Sequence, residues 1–443
     1  MLGKPSLALL PLLASLAFAC GSTTDVVVDG GSQPPGTGSG GGASSGAGAS
    51  SGGGASSGGS SSGSSSSGGA SSSGGSSSGA AFDGGGLGPA GGTPTACALS
   101  MRLRGGSSCH FLVGMGNDLA DNHDMDGAYT LGTTVDLHYA YLTGLSTMGG
   151  WPDWNSGGTF VNILTDSAQS HGVTPMFTLY GMAANGDGNF AMTTDDTLMN
   201  LYWQGAKLLF QRLAAYGKPA VVHLEPDFWA YAMQHSADGT AKVIVTEHAP
   251  DCAGMTDNLI GMAQCLLKLA RTYAPQVAVG FHVSSWGGSA DATVAFFKAI
   301  HADQGDFIAT DMLDRDAGCY EAHTDPNCQR TDGPWYWDET NTTHPNFQDH
   351  LAWVTQMTTG IGLPMIWWQV PFGVPSTTTG GSSGHYRDNR VHYMFAHWSQ
   401  FIAAGGVGAV FGTGAGNQTT VTSDGSEFQN DVGAYFKSPV LLQ

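Results

Sequence analysis

Eight short apolar runs recur along the C-terminal four-fifths of the chain, each ending in polar or aromatic residues. They are HFLVGMGND (110–118), VDLHYAYL (135–142), VTPMFTLYG (173–181), AVVHLEPD (220–227), VAVGFHVSSW (277–286), FIATDMLD (307–314), LPMIWWQVP (363–371) and VGAVFGTG (407–414). Between most of them the apolar positions change from short unbroken runs to a period of three to four, as in NLYWQGAKLLFQRLAAYG and DNLIGMAQCLLKLARTYA. Short runs of this length are strands, and the longer periodic stretches are amphipathic helices. Eight strands, most followed by a helix, predict an α/β fold of one kind: a single (β/α)8 barrel of the TIM type. An open doubly wound sheet is the alternative, but GMGND after the first strand is too short for a dinucleotide-binding glycine loop.

In such a barrel, side chains alternate between the interior and the helix layer, and chemistry gathers at the C-terminal ends of the strands. Strand parity then gives the interior and the mouth to His223, Glu225 and Asp227 on strand four, His282 and Ser284 on strand five, and Asp311 on strand six. Strand seven offers Trp367 and Gln369, strand two His138, strand three Tyr180, and strand one Asn117 or Asp118.

Upstream of the barrel the pattern is different. Residues 1–19 contain one basic residue and an apolar run from Leu7 to Phe18, a secretory leader too short to span a bilayer. LAFAC places Cys20 where a bacterial lipoprotein signal puts its lipidated cysteine, so a cell-surface, outer-membrane lipoprotein is expected. Residues 20–95 are almost entirely Gly, Ser and Ala beyond residue 30; such a segment has too little apolar surface to offset its conformational entropy and serves as a flexible linker. The catalytic barrel is expected over 96–443. Setting Cys20 aside leaves six cysteines, and their spacing predicts three short loops: Cys97–Cys109, Cys252–Cys265 and Cys319–Cys328.

The net charge of −20 argues against nucleic acid and anionic polymers as partners. The membrane is expected as a partner only through the N-terminal lipid. Two carboxyl groups on different strands, facing one another across a mouth, are what glycosidic cleavage needs. Glu225 and Asp311 form the principal candidate pair, with the aromatic company of Glu225 favouring a retained proton. Eight of the eleven tryptophans (Trp151, Trp154, Trp229, Trp286, Trp335, Trp337, Trp367 and Trp368) fall at strand ends or in the loops beyond them, where flat rings suit sugars. Trp229, Trp286, Trp367 and Trp368 are the substrate contacts expected among them.

HLEPDFW resembles the Glu-Pro-Asp strand end of the family 6 cellulases, and the resemblance implies a catalytic role for Asp227. DMLDRDAGC is similar to an Asp-Arg-Asp segment of that family, which implies a catalytic acid at Asp316; in that family this segment precedes the Glu-Pro-Asp motif, whereas here it follows. The barrel glycosidases with glutamates ending strands four and seven fit less well, because strand seven ends in Gln369. The expected function is therefore a secreted glycoside hydrolase acting on a neutral polysaccharide of β-glucan or cellulose type, with no cofactor and no metal. Two alternatives stay open: a non-catalytic carbohydrate-binding barrel or adhesin, and a metal-dependent hydrolase. The sequence has no P-loop and no HExxH motif, which leaves nucleotide and zincin chemistry without support.

Overall fold

The computed structural model describes residues 95–106, 109–118, 127–312, 323, 331, 337, 339–372, 390–412, 421 and 424–442, with the side chains of 117 and 118 excepted. Cys20, Asp314, Asp316, Trp335, Cys319 and Cys328 lie outside the described residues, as does the side chain of Asp118.

Eight parallel strands close into a barrel in chain order: β1 (Leu112–Asp118), β2 (Leu137–Thr143), β3 (Thr174–Tyr180), β4 (Val221–Leu224), β5 (Ala278–His282), β6 (Phe307–Thr310), β7 (Met365–Val370) and β8 (Gly406–Phe411). Closure comes from the pairing of β1 with β8, Leu112 to Met115 against Gly408 to Phe411. Each strand coincides with one of the eight apolar runs. The barrel tolerates its bulky interior because glycines stand opposite it: a β-carbon at Gly116 or Gly412 would collide with the backbone or hydroxyl of Tyr139.

The flanking helices are α1 (Ala96–Leu103), α2 (Trp151–Trp154), α3 (Phe160–Ser170), α4 (Asp196–Tyr216), α5 (Phe228–His235), α6 (Leu259–Tyr273), α7 (Ala290–Ala299), α8 (Phe347–Ile361), α9 (Arg390–Ala403) and α10 (Glu427–Tyr435). Helix α4 begins earlier than the periodic stretch from Asn200 suggests because its cap lies upstream, and α8 is capped in the same way. Asp195 accepts from the Leu198 amide at the start of α4, and Asn346 and Asp349 form a reciprocal capping box at the start of α8. Gly217 and Gly362, both left-handed, end these two helices as C-caps.

Helix α1 fastens the N-terminal end of the barrel. The Cys97–Cys109 disulfide ties it to the approach of β1. Arg104 pairs with the buried Asp136 just before β2 at 3.1 Å, and Arg102 pairs with the buried Asp306 just before β6 at 2.7 Å. His110 and Arg271 complete the two clusters. Neither carboxylate is left uncompensated, which is what makes full burial of a charge tolerable. The Cys252–Cys265 pair is also formed.

Candidate active site

The C-terminal ends of β4 and β7 carry strained backbone. Glu225, Asp227 and Gln369 have φ of 49°, 64° and 51°, left-handed values that cost non-glycine residues of order 1–3 kcal/mol each. The turns at Glu225 and Gln369 break the strand alternation beside them.

Glu225 is the first consequence. Extended alternation would send it inward after His223, but the turn at Glu225 sends its carboxyl into the wall between β4 and the loop after β3. There it accepts from the amides of Gly181 at 3.2 Å and Met182 at 2.9 Å, beside the phenol of Tyr202 on α4, and has no solvent exposure. Burial pushes its pKa up to about 8, with the two amides and Tyr202 pulling the other way. The expectation that Glu225 faces the mouth is thereby corrected: it braces the β3 loop.

Asp227 does reach the mouth. It is half-buried, and its Oδ2 lies 3.3 Å from the Tyr180 hydroxyl at the end of β3. That hydroxyl donates to Asp187 Oδ1 at 2.6 Å. Burial, and then the negative charges of Asp227 and Asp187, hold the Tyr180 phenol well above its usual pKa, so it keeps its proton. Asp187 stands at the exposed edge, and loss of surrounding water raises its carboxyl pKa against the pull of Tyr180. One phenolic hydrogen cannot serve two carboxylates at once.

Asp311, immediately after β6, sits across β5 from this group. Its Oδ1 lies 3.6 Å from His282 Nε2, and its side chain keeps 18% exposure. His282 is inside the barrel as expected, with its Nδ1 3.0 Å from His223 Nε2. His223 in turn lies 3.3 Å from Thr178 Oγ1. Burial, and then the neighbouring His282, keep His223 well below the usual imidazole pKa and neutral.

Strand seven corrects the parity reading. Trp367 points to the helix layer, where its indole donates to His350 Nε2 at 2.8 Å and packs on Phe401. Burial pushes the His350 pKa down to about 3, so its ring is free to accept. Trp368 takes the interior instead, against His223, His282 and Tyr141. The positive φ of Gln369 returns it inward, where its Oε1 accepts from the Tyr141 hydroxyl at 3.0 Å. On β2, Tyr139 and Tyr141 therefore face Trp368, and His138 points outward to Tyr129, which stacks on His171. His138 is not a mouth residue.

The tryptophan argument survives only in part. Trp151 and Trp229 are buried, and the Trp229 indole donates to the Leu224 carbonyl between α5 and the barrel wall. These two and Trp367 belong to the core. Trp337, also buried, packs on His350 and Phe347. Trp286 remains half-exposed after β5, with its ring 4.8 Å from Tyr231. Tyr231 lines a pocket with Asp187, Phe190, Pro226 and Phe228, the aromatic shoulder of the site.

The sequence reading missed Asp187 and Tyr141. Asp187 had a signal, since it lies in NGDGN in the loop after β3, where barrel chemistry is placed. Among the described residues, Asp196, Glu247 and His248 bring metal-capable atoms within 4.8 Å of one another at the surface. None of them belongs to the carboxyl group set at the mouth.

No family model and no curated protein matches the chain. Solved structures do share its outline. An endo-1,4-β-D-mannanase from Thermotoga petrophila RKU-1 is 12% identical, covering 74% of this chain and 99% of that one at a TM-score of 0.41. A GH26 β-mannanase from Bacteroides ovatus is 10% identical, covering 79% and 96% at 0.43. A D-allulose 3-epimerase from a Methylomonas species is 12% identical, covering 74% and 98% at 0.39. At these scores the likeness does not extend to an activity.

Proposed function

We propose that the protein is a glycoside hydrolase acting on a neutral polysaccharide outside the cell, with Asp227 as proton donor and Asp311 as the ionised partner. One observation carries this reading: carboxyl groups from the ends of β4 and β6 stand on the same barrel face, in opposite hydrogen-bonding company. Asp227 stands 3.3 Å from a phenol that it shares with Asp187. Asp311 stands 3.6 Å from an imidazole nitrogen. A donor and a base or nucleophile with divided protonation are the requirement for cleaving an acetal.

The half-exposed Trp286 and the Phe190–Phe228 shoulder supply apolar faces for sugar rings, and the strong negative charge favours an uncharged polymer. The lipid on Cys20 remains part of the proposal as the sequence reading gave it, and Asp316, the acid that the family 6 resemblance implies, is the alternative to Asp227 in the donor role.

The test is hydrolysis of a panel of neutral polysaccharides (mannan, galactan, xylan and mixed-linkage glucan), followed by reducing-end release. Wild type is expected to act on at least one, and Asp227→Asn and Asp311→Asn to lose that activity while keeping the native melting temperature. Wild type without activity on the whole panel, or undiminished activity in Asp311→Asn, overturns the proposal.

A further inference from the structure

The barrel interior holds a file of polar side chains where branched apolar residues are usual: Thr178 on β3, His223 on β4 and His282 on β5, ending at Asp311 after β6. All three are buried, with Thr178 and His223 fully so. Their spacings are 3.3 Å from Thr178 Oγ1 to His223 Nδ1, 3.0 Å from His223 Nε2 to His282 Nδ1, and 3.6 Å from His282 Nε2 to Asp311 Oδ1.

A neutral imidazole has one N–H and one acceptor nitrogen, so the state of one ring dictates that of the next. When Asp311 is a carboxylate it can only accept, and His282 must present Nε2–H. The Nδ1 of His282 is then an acceptor, which requires Nε2–H on His223. The Nδ1 of His223 is left to accept from the Thr178 hydroxyl. Every donor in the file points towards Asp311, and no buried nitrogen is left without a partner.

We propose that Thr178, His223 and His282 form a directional hydrogen-bond chain that fixes the tautomer of His282 and presents Asp311 as an oriented carboxylate at the mouth. This rests on the glycosidase reading for its purpose and on geometry for its existence. Thr178, His223 and His282 are positioning residues, since each acts through the next. The last link, long at 3.6 Å, is of the kind that tightens when substrate is bound. His350 on α8 also faces Asp311, but burial keeps it neutral and its Nε2 is occupied by Trp367. The positive charge of Arg390 at the start of α9 adds to the lowering of His350.

The test has two arms with separate failures. In the full chain labelled with 15N-histidine, two-bond nitrogen–proton correlations distinguish the tautomers, and His223→Gln and His282→Gln assign the two rings. Both rings are expected as neutral Nε2–H forms at pH 7. Thr178→Val is expected to mix the tautomers of His223, and Thr178→Ser to preserve them. An Nδ1–H form at either ring, or an imidazolium at His282, overturns the chain whatever the enzyme acts on. In the second arm, on any polysaccharide that wild type hydrolyses, His282→Phe is expected to move the acidic limb of the kcat profile up by about one pH unit, because a donor to the charged form is lost. His282→Gln, which keeps an amide donor, is expected to restore most of the shift. An even loss of kcat at all pH values in both variants marks a packing role and rejects the positioning role. Absence of hydrolysis on every polymer rejects the glycosidase reading and leaves the first arm intact.

Discussion

The Tyr180 hydroxyl donates to Asp187 at 2.6 Å and thereby has no hydrogen left for Asp227, 3.3 Å away. The phenol is a one-way coupler between two carboxyl groups. In its proposed role as donor Asp227 would give its proton to the Tyr180 oxygen, so Tyr180→Phe is expected to move the alkaline limb of the kcat/KM profile to lower pH. Asp187→Asn is expected to move it the same way, because a neighbouring negative charge that disfavours ionisation is gone. A pH–rate series on both variants checks the direction; an unmoved limb in both removes Asp227 from the donor role.

The two mouth carboxyls are expected to dominate turnover. Asp227→Asn and Asp311→Asn should each lower kcat by about 10² to 10⁴, the usual contribution of a positioned acid or base, with little change in KM. Steady-state kinetics on the hydrolysed polymer reads this. Trp286→Ala is expected to give the converse, a several-fold rise in KM with kcat nearly kept, since the ring binds ground and transition states alike.

Glu225 predicts a stability effect and not a catalytic one. Its pKa is about 8 in the folded chain against 4.5 for an ordinary glutamate, so between these values the native state binds the extra proton. Stability from this group is therefore full below about pH 4.5 and is lost as pH rises towards 8. Glu225→Gln is expected to flatten that slope in melting temperature between pH 5 and 8. It should also cost roughly 1–3 kcal/mol, because an amide NH2 would oppose one of two backbone donors. A variant as steeply pH-dependent as wild type would assign the slope elsewhere.

At the other end of the barrel, Arg271→Met leaves the fully buried Asp306 with Arg102 and the Val279 amide. Breaking a buried pair from one side is strongly destabilising, on the order of 3 kcal/mol. Urea unfolding should show a lower midpoint with an unchanged slope.

The barrel was legible because strand runs and helical stretches differ in period, and a closed parallel sheet needs little else. Parity placed His223, His282, Tyr180 and Asp311 where the structure has them. It failed at Glu225 and at the Trp367–Trp368 pair, because a left-handed turn at Glu225 or Gln369 leaves no trace in a hydrophobic pattern. Both positions hold residues that are uncommon at positive φ. Trp229 and Trp367 misled for a different reason: an indole beside a strand end serves a sugar or a helix equally well in sequence, and only its N–H partner decides. In both cases that partner is a buried group, the Leu224 carbonyl or His350.

The brace between Glu225 and the amides of Gly181 and Met182 also bears on how this mouth can change over evolutionary time. It anchors the root of the β3 loop to its neighbouring strand, a few residues before Asp187 and Phe190 contribute to the pocket. Insertions or deletions beyond Met182 can therefore reshape the pocket rim while the barrel stays as it is. That makes the segment from Ala183 to Phe190 the natural place for laboratory diversification of specificity, with Glu225 as the residue to leave untouched.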